Sequence, residues 1–367
     1  MKQGRSIAEL AQELERQRTA RKDFLADTRK LRVETLGGNS DVILDMGNDR
    51  EKFRITELAH RQIADRLQIP FRYYTKMRNE YPDLLDYNIN SWFQERPEKR
   101  MLRTLDGNAR AFLSGRYRRL DNLELAYAVF PVINEMKGAE VVSCQVTDNH
   151  MFIKVINKRL KAEVALNDVV QAGMVISNSE VGLGSLKVEP LIYRLVCKNG
   201  LIVKDYAQKK YHVGRQIEKE DSAYEIYSDE TLEQDDRAFF MKVQDTVRTA
   251  VDEAKFQMSV NKLRQSKEVY TGDNPVETIE VLADRYILNE AEKGGILRHF
   301  LIGGDISQYG LINAVTRASQ DIDDYTRATD LERIGGDILA SVVKDNKLRL
   351  PIRNALEEND KVIDISR

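Results

Sequence analysis

The apolar residues of this 367-residue chain follow two different periods, and the change between them constrains the fold more than any other feature. Between about residues 101 and 178, short apolar runs alternate with turn sequences such as Asp106-Gly107, a pattern typical of antiparallel hairpins. From residue 238 onwards, apolar residues recur at the spacing of a helix. We therefore predict an α+β fold, in which a basic N-terminal part with antiparallel strands and helices precedes a mostly α-helical, acidic C-terminal part.

Composition shifts along the chain predict four segments. They are a charged N-terminal helix within residues 1–35 (helical over 7–32), a basic α+β domain at 36–215, an acidic linker at 216–236 and a helical domain at 237–360. We expect one continuous helix over residues 238–264. Residues 188–203 fit either a strand or the start of a helix, and the pattern leaves both open.

The net charge of −2 hides a division between the two ends of the chain. Residues 1–215 carry 37 basic and 28 acidic side chains, whereas residues 216–367 carry 20 and 31. This asymmetry favours a polyanion as the partner of the basic part. Two arrangements without a polyanion stay open: the basic part docks on the acidic part, or the acidic part covers a basic groove.

The sequence leads us to exclude several classes of protein. No run of about 18 apolar residues is present and the N-terminus has no apolar signal region, so we expect neither a membrane span nor a signal peptide. Two cysteines without CxxC spacing favour a reducing, cytoplasmic compartment. Four scattered histidines, and the absence of P-loop and GxSxG motifs, predict no metal site, no cofactor and no enzymatic activity.

The strongest local charge lies in residues 96–119, which hold eight basic and two acidic side chains with aromatic residues between them. Arginines contact phosphates and aromatic rings stack on bases, as a groove for single strands requires. A solvated hairpin whose aromatics point into the core is the alternative interpretation. The predicted nucleic-acid-binding residues, including a second cluster at a hairpin end, are Arg103, Arg110, Phe112, Arg116, Tyr117, Arg118, Arg119, Lys158, Arg159 and Lys161.

A second motif occupies residues 176–203 and combines Asn-Ser-x-x-Gly…Ser with Arg-x-Val-Cys-x-Asn-Gly-Leu. Its residues, whose role the sequence leaves open, are Asn178, Ser179, Gly182, Ser185, Arg194, Cys197, Asn199 and Gly200. We interpret the second half as a turn in which Gly200 adopts a positive φ and Asn199 supplies side-chain hydrogen bonds.

This motif resembles a family of phage, prophage and plasmid proteins whose domain is called one of unknown function. Stretches at 69–74, 111–122 and 311–317 resemble that family as well, so the resemblance covers most of residues 50–340. The resemblance implies an origin in a mobile element and hence a bacterial host cell, but it does not indicate an activity. The order of elements, a helix followed by antiparallel strands and an arginine-bearing segment, is more distantly similar to phage single-strand annealing proteins.

We therefore expect a non-enzymatic phage or plasmid protein that binds nucleic acid, with single-stranded DNA favoured, in recombination or replication. Self-association through the helical part is expected. The alternative is an interaction factor that acts on a host defence or replication component. An enzyme built from His150, Glu180, Arg194 and Asn199 is the least favoured hypothesis, since it requires these side chains to converge.

Overall fold

The computed structural model describes residues 1–47, 49–117, 119–184, 186–203 and 229–341, together with two short strands beyond them. The helices are α1 (Ile7–Ala20), α2 (Glu57–Arg66), α3 (Phe71–Glu80), α4 (Pro82–Glu95), α5 (Asn122–Glu135), α6 (Asp229–Thr249), α7 (Glu253–Ser266), α8 (Pro275–Tyr286), α9 (Glu290–Gly303), α10 (Gln308–Ala318) and α11 (Tyr325–Leu339). The strands are β1 (Arg21–Asp27), β2 (Leu31–Leu36), β3 (Asn39–Asp45), β4 (Arg50–Ile55), β5 (Lys99–Leu105), β6 (Asn108–Ser114), β7 (Ala139–Val146), β8 (Met151–Ala165), β9 (Asp168–Asn178), β10 (Lys187–Arg194), β11 (Asn199–Ile202), β12 (Val343–Lys344) and β13 (Lys347–Leu348). The predicted α+β class is confirmed.

The first sheet has the strand order β1-β5-β6-β4-β3-β2, and its strands are antiparallel apart from the β4–β6 pair. Helices α2, α3 and α4 pack on one face of it. Their apolar residues, such as Ile63 and Ile89, form one core with Val42 and Phe53 of the strands. Thr56 begins α2, because its side chain accepts a hydrogen bond from the N–H of Ala59, as the sequence predicts.

One edge of the first sheet, strand β2, is paired with side chains of α4 instead of a further strand. The amide of Asn90 accepts from the N–H of Val33 and donates to the carbonyl of the same residue, at 2.8 and 2.9 Å. Asp86, one helical turn earlier, accepts from the N–H of Thr35 at 2.7 Å. Residues four apart share a helix face, so α4 lies along this edge.

The second sheet has the order β11-β10-β9-β8-β7 and is antiparallel throughout. Residues of α1, α5 and α6 pack with β7–β9 in one core, and α7–α11 form another with the far ends of the strands. Helix α11 lies against β11 so closely that a Cβ on Gly336 would be 1.9 Å from the carbonyl oxygen of Ile202.

The N-terminal prediction is wrong beyond residue 20. The helix predicted over 7–32 ends at Ala20, where β1 begins and pairs with β5 from Arg21 opposite Leu105. The capping box of Ser6 and Glu9 fixes the start of the helix. Its end is set by a strand that is distant in sequence, and charged residues in an edge strand give no strand pattern.

Three further boundaries differ from the prediction. Residues 188–203 form strands β10 and β11 joined by a turn, so the strand alternative is correct. The single helix expected over 238–264 is two helices, α6 and α7, because Asp252 accepts from the N–H of Lys255 and starts a new one. Within the predicted 216–236 linker, α6 begins at Asp229, and residues 216–228 lie outside the described part.

Candidate nucleic-acid interface

Three arginines of the predicted basic segment, Arg103, Arg110 and Arg119, face carboxylates that are distant in sequence. Arg103 of β5 and Arg110 of β6 meet Asp23 of β1, Asp121 before α5 and Glu180 after β9, at the point where the two sheets join. We call these five residues the junction cluster. Because its members come from both sheets, the cluster ties the sheets together through charge.

Arg103 is the centre of the junction cluster and has no exposed surface. Its guanidinium donates to both carboxylate oxygens of Asp23 at 3.1 and 3.0 Å, to Asp121 at 2.6 Å and to the carbonyl of Glu180 at 2.9 Å. Arg110 donates to the Glu180 carboxylate at 2.7 Å. Buried charges require such pairing, since transfer from water is otherwise costly.

Burial alone would raise the pKa of the Asp121 carboxyl, but the charges and hydrogen bonds of Arg103 and Arg21 together outweigh it and the pKa is lowered. Burial likewise opposes the charge of Arg103, but hydrogen bonding to Asp23 and the negative charges around it together raise the pKa of the guanidinium. Burial raises the pKa of Glu124, which lies near Asp121. Arg103 and Asp121 therefore each favour the charged form of the other.

Three predicted nucleic-acid contacts are wrong because the side chains are not available. Arg103 is fully buried, and Arg110 is largely buried against Glu180. Phe112, the predicted stacking residue, is 2% exposed and stacks on Phe93 in the core of the first sheet, with ring centroids 5.7 Å apart. The alternative interpretation, a hairpin whose aromatics point inwards, is correct for Phe112.

Two predicted contacts remain exposed at the end of β6. Arg116 is exposed, and the side chain of Arg119 is 53% exposed, with its guanidinium 3.5 Å from Asp23. Tyr117 between them is half-buried and donates from its hydroxyl to the carbonyl of Ser179 at 3.4 Å. Arg118 lies outside the described residues.

The first half of the motif forms a loop beside these arginines. Asn178 is buried and its amide donates to the carbonyl of Leu120 and to Asn122. The hydroxyl of Ser179 accepts from the N–H groups of Val181 and Leu183, which closes a tight turn. Gly182 has φ +80°, and a Cβ there would be 2.6 Å from Leu113, so the loop requires glycine. Ser185 lies outside the described residues.

The second basic cluster, at Lys158, Arg159 and Lys161, is exposed but is not near the first. Strand β8 begins at Met151, which is opposite Asn178, and Lys158 is seven residues further along. At about 3.3 Å per residue this places the two clusters about 23 Å apart. The structure therefore does not bring the predicted basic residues together at one point.

The second half of the motif holds the far end of the second sheet against the C-terminal helices. Arg194 donates to both carboxylate oxygens of Asp168, each at 2.6 Å, and the hydroxyl of Tyr309 donates to the same carboxylate. Cys197 is half-buried, with its Sγ 3.6 Å from the Arg194 guanidinium. This half of the motif has a structural role.

The interpretation of Gly200 is wrong. The positive φ of this turn, +50°, belongs to Lys198, whereas Gly200 is needed because a Cβ would be 3.0 Å from Leu191 and 3.3 Å from the carboxylate of Glu332. Asn199 does supply a side-chain hydrogen bond, but it is to Thr316 of α10 and not within the turn.

Sequence reasoning missed a buried ion pair on the second sheet. Lys154 of β8 and Glu332 of α11 have no exposed surface, and Nζ lies 2.6 Å from Oε2. Burial lowers the pKa of Lys154, although Glu332 opposes this. The second carboxylate oxygen, Oε1, has no hydrogen-bond partner within the described residues. The position of Lys154 in an otherwise apolar run is the one sequence signal that points to this pair.

The four residues of the enzyme hypothesis do not converge. Arg194 pairs with Asp168 at one end of β9, and Glu180 follows the other end at Asn178. Ten residues of strand separate these ends by about 33 Å. Within the described part of the chain, no group of three or more His, Cys, Asp or Glu side chains is arranged to hold a metal ion.

The fold and the site define the class of protein. It has two mostly antiparallel β-sheets, which the junction cluster and a glycine-containing loop connect. Residues 111–330 match the family described as Domain of unknown function (DUF932), and the chain belongs to that family. The match includes the loop at residues 179–184, the second sheet and most of the helical part. No curated protein and no solved structure matches the chain. Among the described residues, no helix is long and apolar enough to cross a membrane.

Proposed function

We propose that this protein binds single-stranded nucleic acid, with single-stranded DNA favoured, at the surface formed by Arg116, Tyr117, Arg119 and the loop Ser179–Gly184, which we call the arginine–loop surface. The exposed guanidinium groups would contact phosphates, and the edge of the half-buried Tyr117 ring would contact a base. The resemblance of the motif to phage and plasmid proteins supports a role in the recombination or replication of a mobile element. We propose a non-enzymatic protein that self-associates through its helical part.

One observation carries this proposal: exposed arginines border a tight loop that the junction cluster holds in place. Glu180 belongs to the loop and is bonded through its carboxylate to Arg110 and to the N–H of Asn122. The loop therefore does not have to be ordered when a ligand arrives, and this lowers the cost of binding. Leu183, 44% exposed at the tip of the loop, adds an apolar contact for a base.

The test is a titration of a labelled 20-nucleotide single strand at low salt, with the native chain and with Arg116→Ala/Arg119→Ala. The native chain should bind, and its affinity should fall steeply with salt because counterions are released from the strand. Removal of two phosphate contacts should weaken binding and reduce the slope of log K against log salt by about 1.4.

Two matched variants locate the surface. Arg32→Ala/Arg50→Ala removes two exposed arginines of the first sheet, each beside a carboxylate, and should leave binding unchanged. Lys158→Ala/Lys161→Ala removes the distant basic cluster and should have a smaller effect than the arginine pair. No binding of the native chain at micromolar protein and low salt would exclude the proposed function, and a loss confined to the lysine variant would exclude this location.

A second candidate, an interaction factor that binds a protein, is favoured by an aromatic surface on the α3–α4 hairpin. Tyr73, Tyr81, Leu84 and Tyr87 are between 43% and 72% exposed there. Tyrosines are common at the centres of protein interfaces and are rarely left in water as a group. Tyr73→Ala/Tyr87→Ala should abolish capture of a partner while single-strand binding persists; loss of single-strand binding instead would exclude this assignment.

A further inference from the structure

An apolar pocket lies between the second sheet and α7. Its β9 residue Ala172 is seven residues along the chain from Ser179, where the loop of the arginine–loop surface begins, which is about 23 Å of strand. Its walls include Ala172 of β9, Pro190 and Ile192 of β10, Val251 between α6 and α7, and Phe256 of α7. The pocket has a volume of about 220 Å³. A cavity of about 150 Å³ accommodates benzene, so this pocket has room for about eight or nine carbon-sized atoms. A helix, which is about 10 Å wide, does not fit.

One side of the pocket is polar and cationic. Lys255, Ser259 and Lys262 line it from α7, and residues spaced by four and three share one face of a helix. Lysine stems lie along apolar surface while their ammonium groups stay in water, which places positive charge at the rim of an apolar chamber. The one acidic lining residue, Asp252, already caps α7 by accepting from the N–H of Lys255 at 2.8 Å.

We infer that this pocket binds a small amphiphile, with an apolar tail against Ala172, Ile192 and Phe256 and an anionic head group at Lys262. The apolar walls supply burial for a tail of about eight carbons, and the cationic rim selects a negative head group over a neutral one. Ser259, half-buried between the lysines, donates its own hydroxyl to the carbonyl of Lys255 and can still accept at its oxygen. This ligand site is independent of nucleic-acid binding.

The test is isothermal titration calorimetry of the full chain with octanoate, and with octan-1-ol as the neutral analogue of the same length. Octanoate should bind saturably and more tightly than the alcohol. Lys262→Gln should lower octanoate affinity about two- to fivefold, as expected for an exposed ion pair, and leave octanol affinity unchanged. Lys267→Gln, an exposed position after the same helix that does not line the pocket, is the matched control and should change neither.

Two variants that fill the pocket keep the inference falsifiable. Ala172→Leu should lower the affinity for both ligands by at least about tenfold, because the added side chain occupies the tail site. Should that variant fail to fold, as judged by circular dichroism, Ser259→Phe closes the pocket from a half-buried helix position and should have the same effect. Unchanged binding by the folded filling variant would overturn the inference.

The source of the anionic amphiphile is distinguished by a flotation assay with phosphatidylglycerol vesicles. Octanoate binding without flotation supports a free carboxylate, and both together support an acyl chain drawn from lipid. Flotation without octanoate binding, or no binding in either assay, overturns the pocket as a ligand site. Equal affinities for octanoate and octanol, both insensitive to Lys262→Gln, overturn the anionic head group.

Discussion

The junction cluster and the Lys154–Glu332 pair are both buried and charged, and they differ in the number of partners that each charge has. In the junction cluster, Asp23 also lies 3.5 Å from Arg119, and Asp121 lies 2.7 Å from Arg21. Glu332 has one ion-pair partner among the described residues, and one of its oxygens has no hydrogen-bond partner.

This difference supports the proposed binding at the arginine–loop surface, because only the junction cluster has charges with more than one partner. Arg119 can turn from Asp23 to a phosphate, because Arg103 still neutralises that carboxylate. Lys154 cannot leave Glu332 without creating two unpaired charges in the interior. The pair therefore fixes α11 to the second sheet. In contrast, Arg119 at the exposed side of the junction cluster is able to contact a phosphate without leaving Asp23 unpaired.

Loss of the isolated charge should have the largest effect. Lys154→Met leaves Glu332 buried without its cation and should lower the free energy of unfolding by about 3–5 kcal/mol, measured by urea denaturation. The double variant Lys154→Met/Glu332→Leu removes both charges and should recover most of this loss. A double variant as unstable as the single one would contradict the account of the pair.

Loss of the central charge of the junction cluster should cost less. Arg103→Met should lower the free energy of unfolding by about 2–3 kcal/mol, since Arg21 and Arg119 still face the two aspartates. The same urea experiment applies. If Arg103→Met lowered the free energy of unfolding more than Lys154→Met does, the comparison would be wrong, because the additional ion-pair partners would then give no protection against the loss of one charge.

The junction cluster should also determine sensitivity to acid. The folded pKa of Asp121 lies below its unfolded value of about 3.9, so this carboxylate stabilises the fold above that value. The stabilisation is lost as the pH falls from about 4 through the lower folded pKa. We expect a smaller effect than either substitution, visible as a shallower fall in unfolding free energy below pH 4 in Asp121→Asn. An unchanged pH profile in that variant would assign the acid sensitivity to other carboxylates.

The smallest effect on stability is expected for Arg119→Ala. Its side chain is half exposed and its ion pair with Asp23 is screened by water, so the free energy of unfolding should change by at most about 0.5 kcal/mol. Binding of a labelled single strand should nevertheless weaken. A change confined to stability would assign Arg119 to the fold and not to the arginine–loop surface.

Local patterns predict local structure well in this chain. The Asp106-Gly107 turn joins β5 and β6, and the strand pattern predicted between about residues 101 and 178 ends with β9 at Asn178. Both features depend on residues within a few positions of one another, so the local sequence is sufficient to predict them. The charged segment at 21–27 has the pattern of a helix and is a strand, because it pairs with β5, about 80 residues away.

The candidate site is harder to predict for the same reason. The basic excess of residues 96–119 is real, but Asp23, Asp121 and Glu180 neutralise part of it from three other segments. Counting charge along the chain cannot separate Arg103, which is buried, from Arg116, which is exposed. Strand β5 does not alternate between apolar and polar residues, and Leu102, Arg103 and Thr104 are all buried in succession, so its sequence does not show which side chains are covered.

The pairing of α4 with β2 has a consequence for assembly. An uncovered strand edge invites a second chain to add a strand, which leads to aggregation. Asn90 and Asp86 already occupy the backbone groups of Val33 and Thr35. An Asn90→Ala chain would leave the backbone groups of Val33 unpaired, so the native side chain protects the β2 edge of the sheet from the addition of a strand.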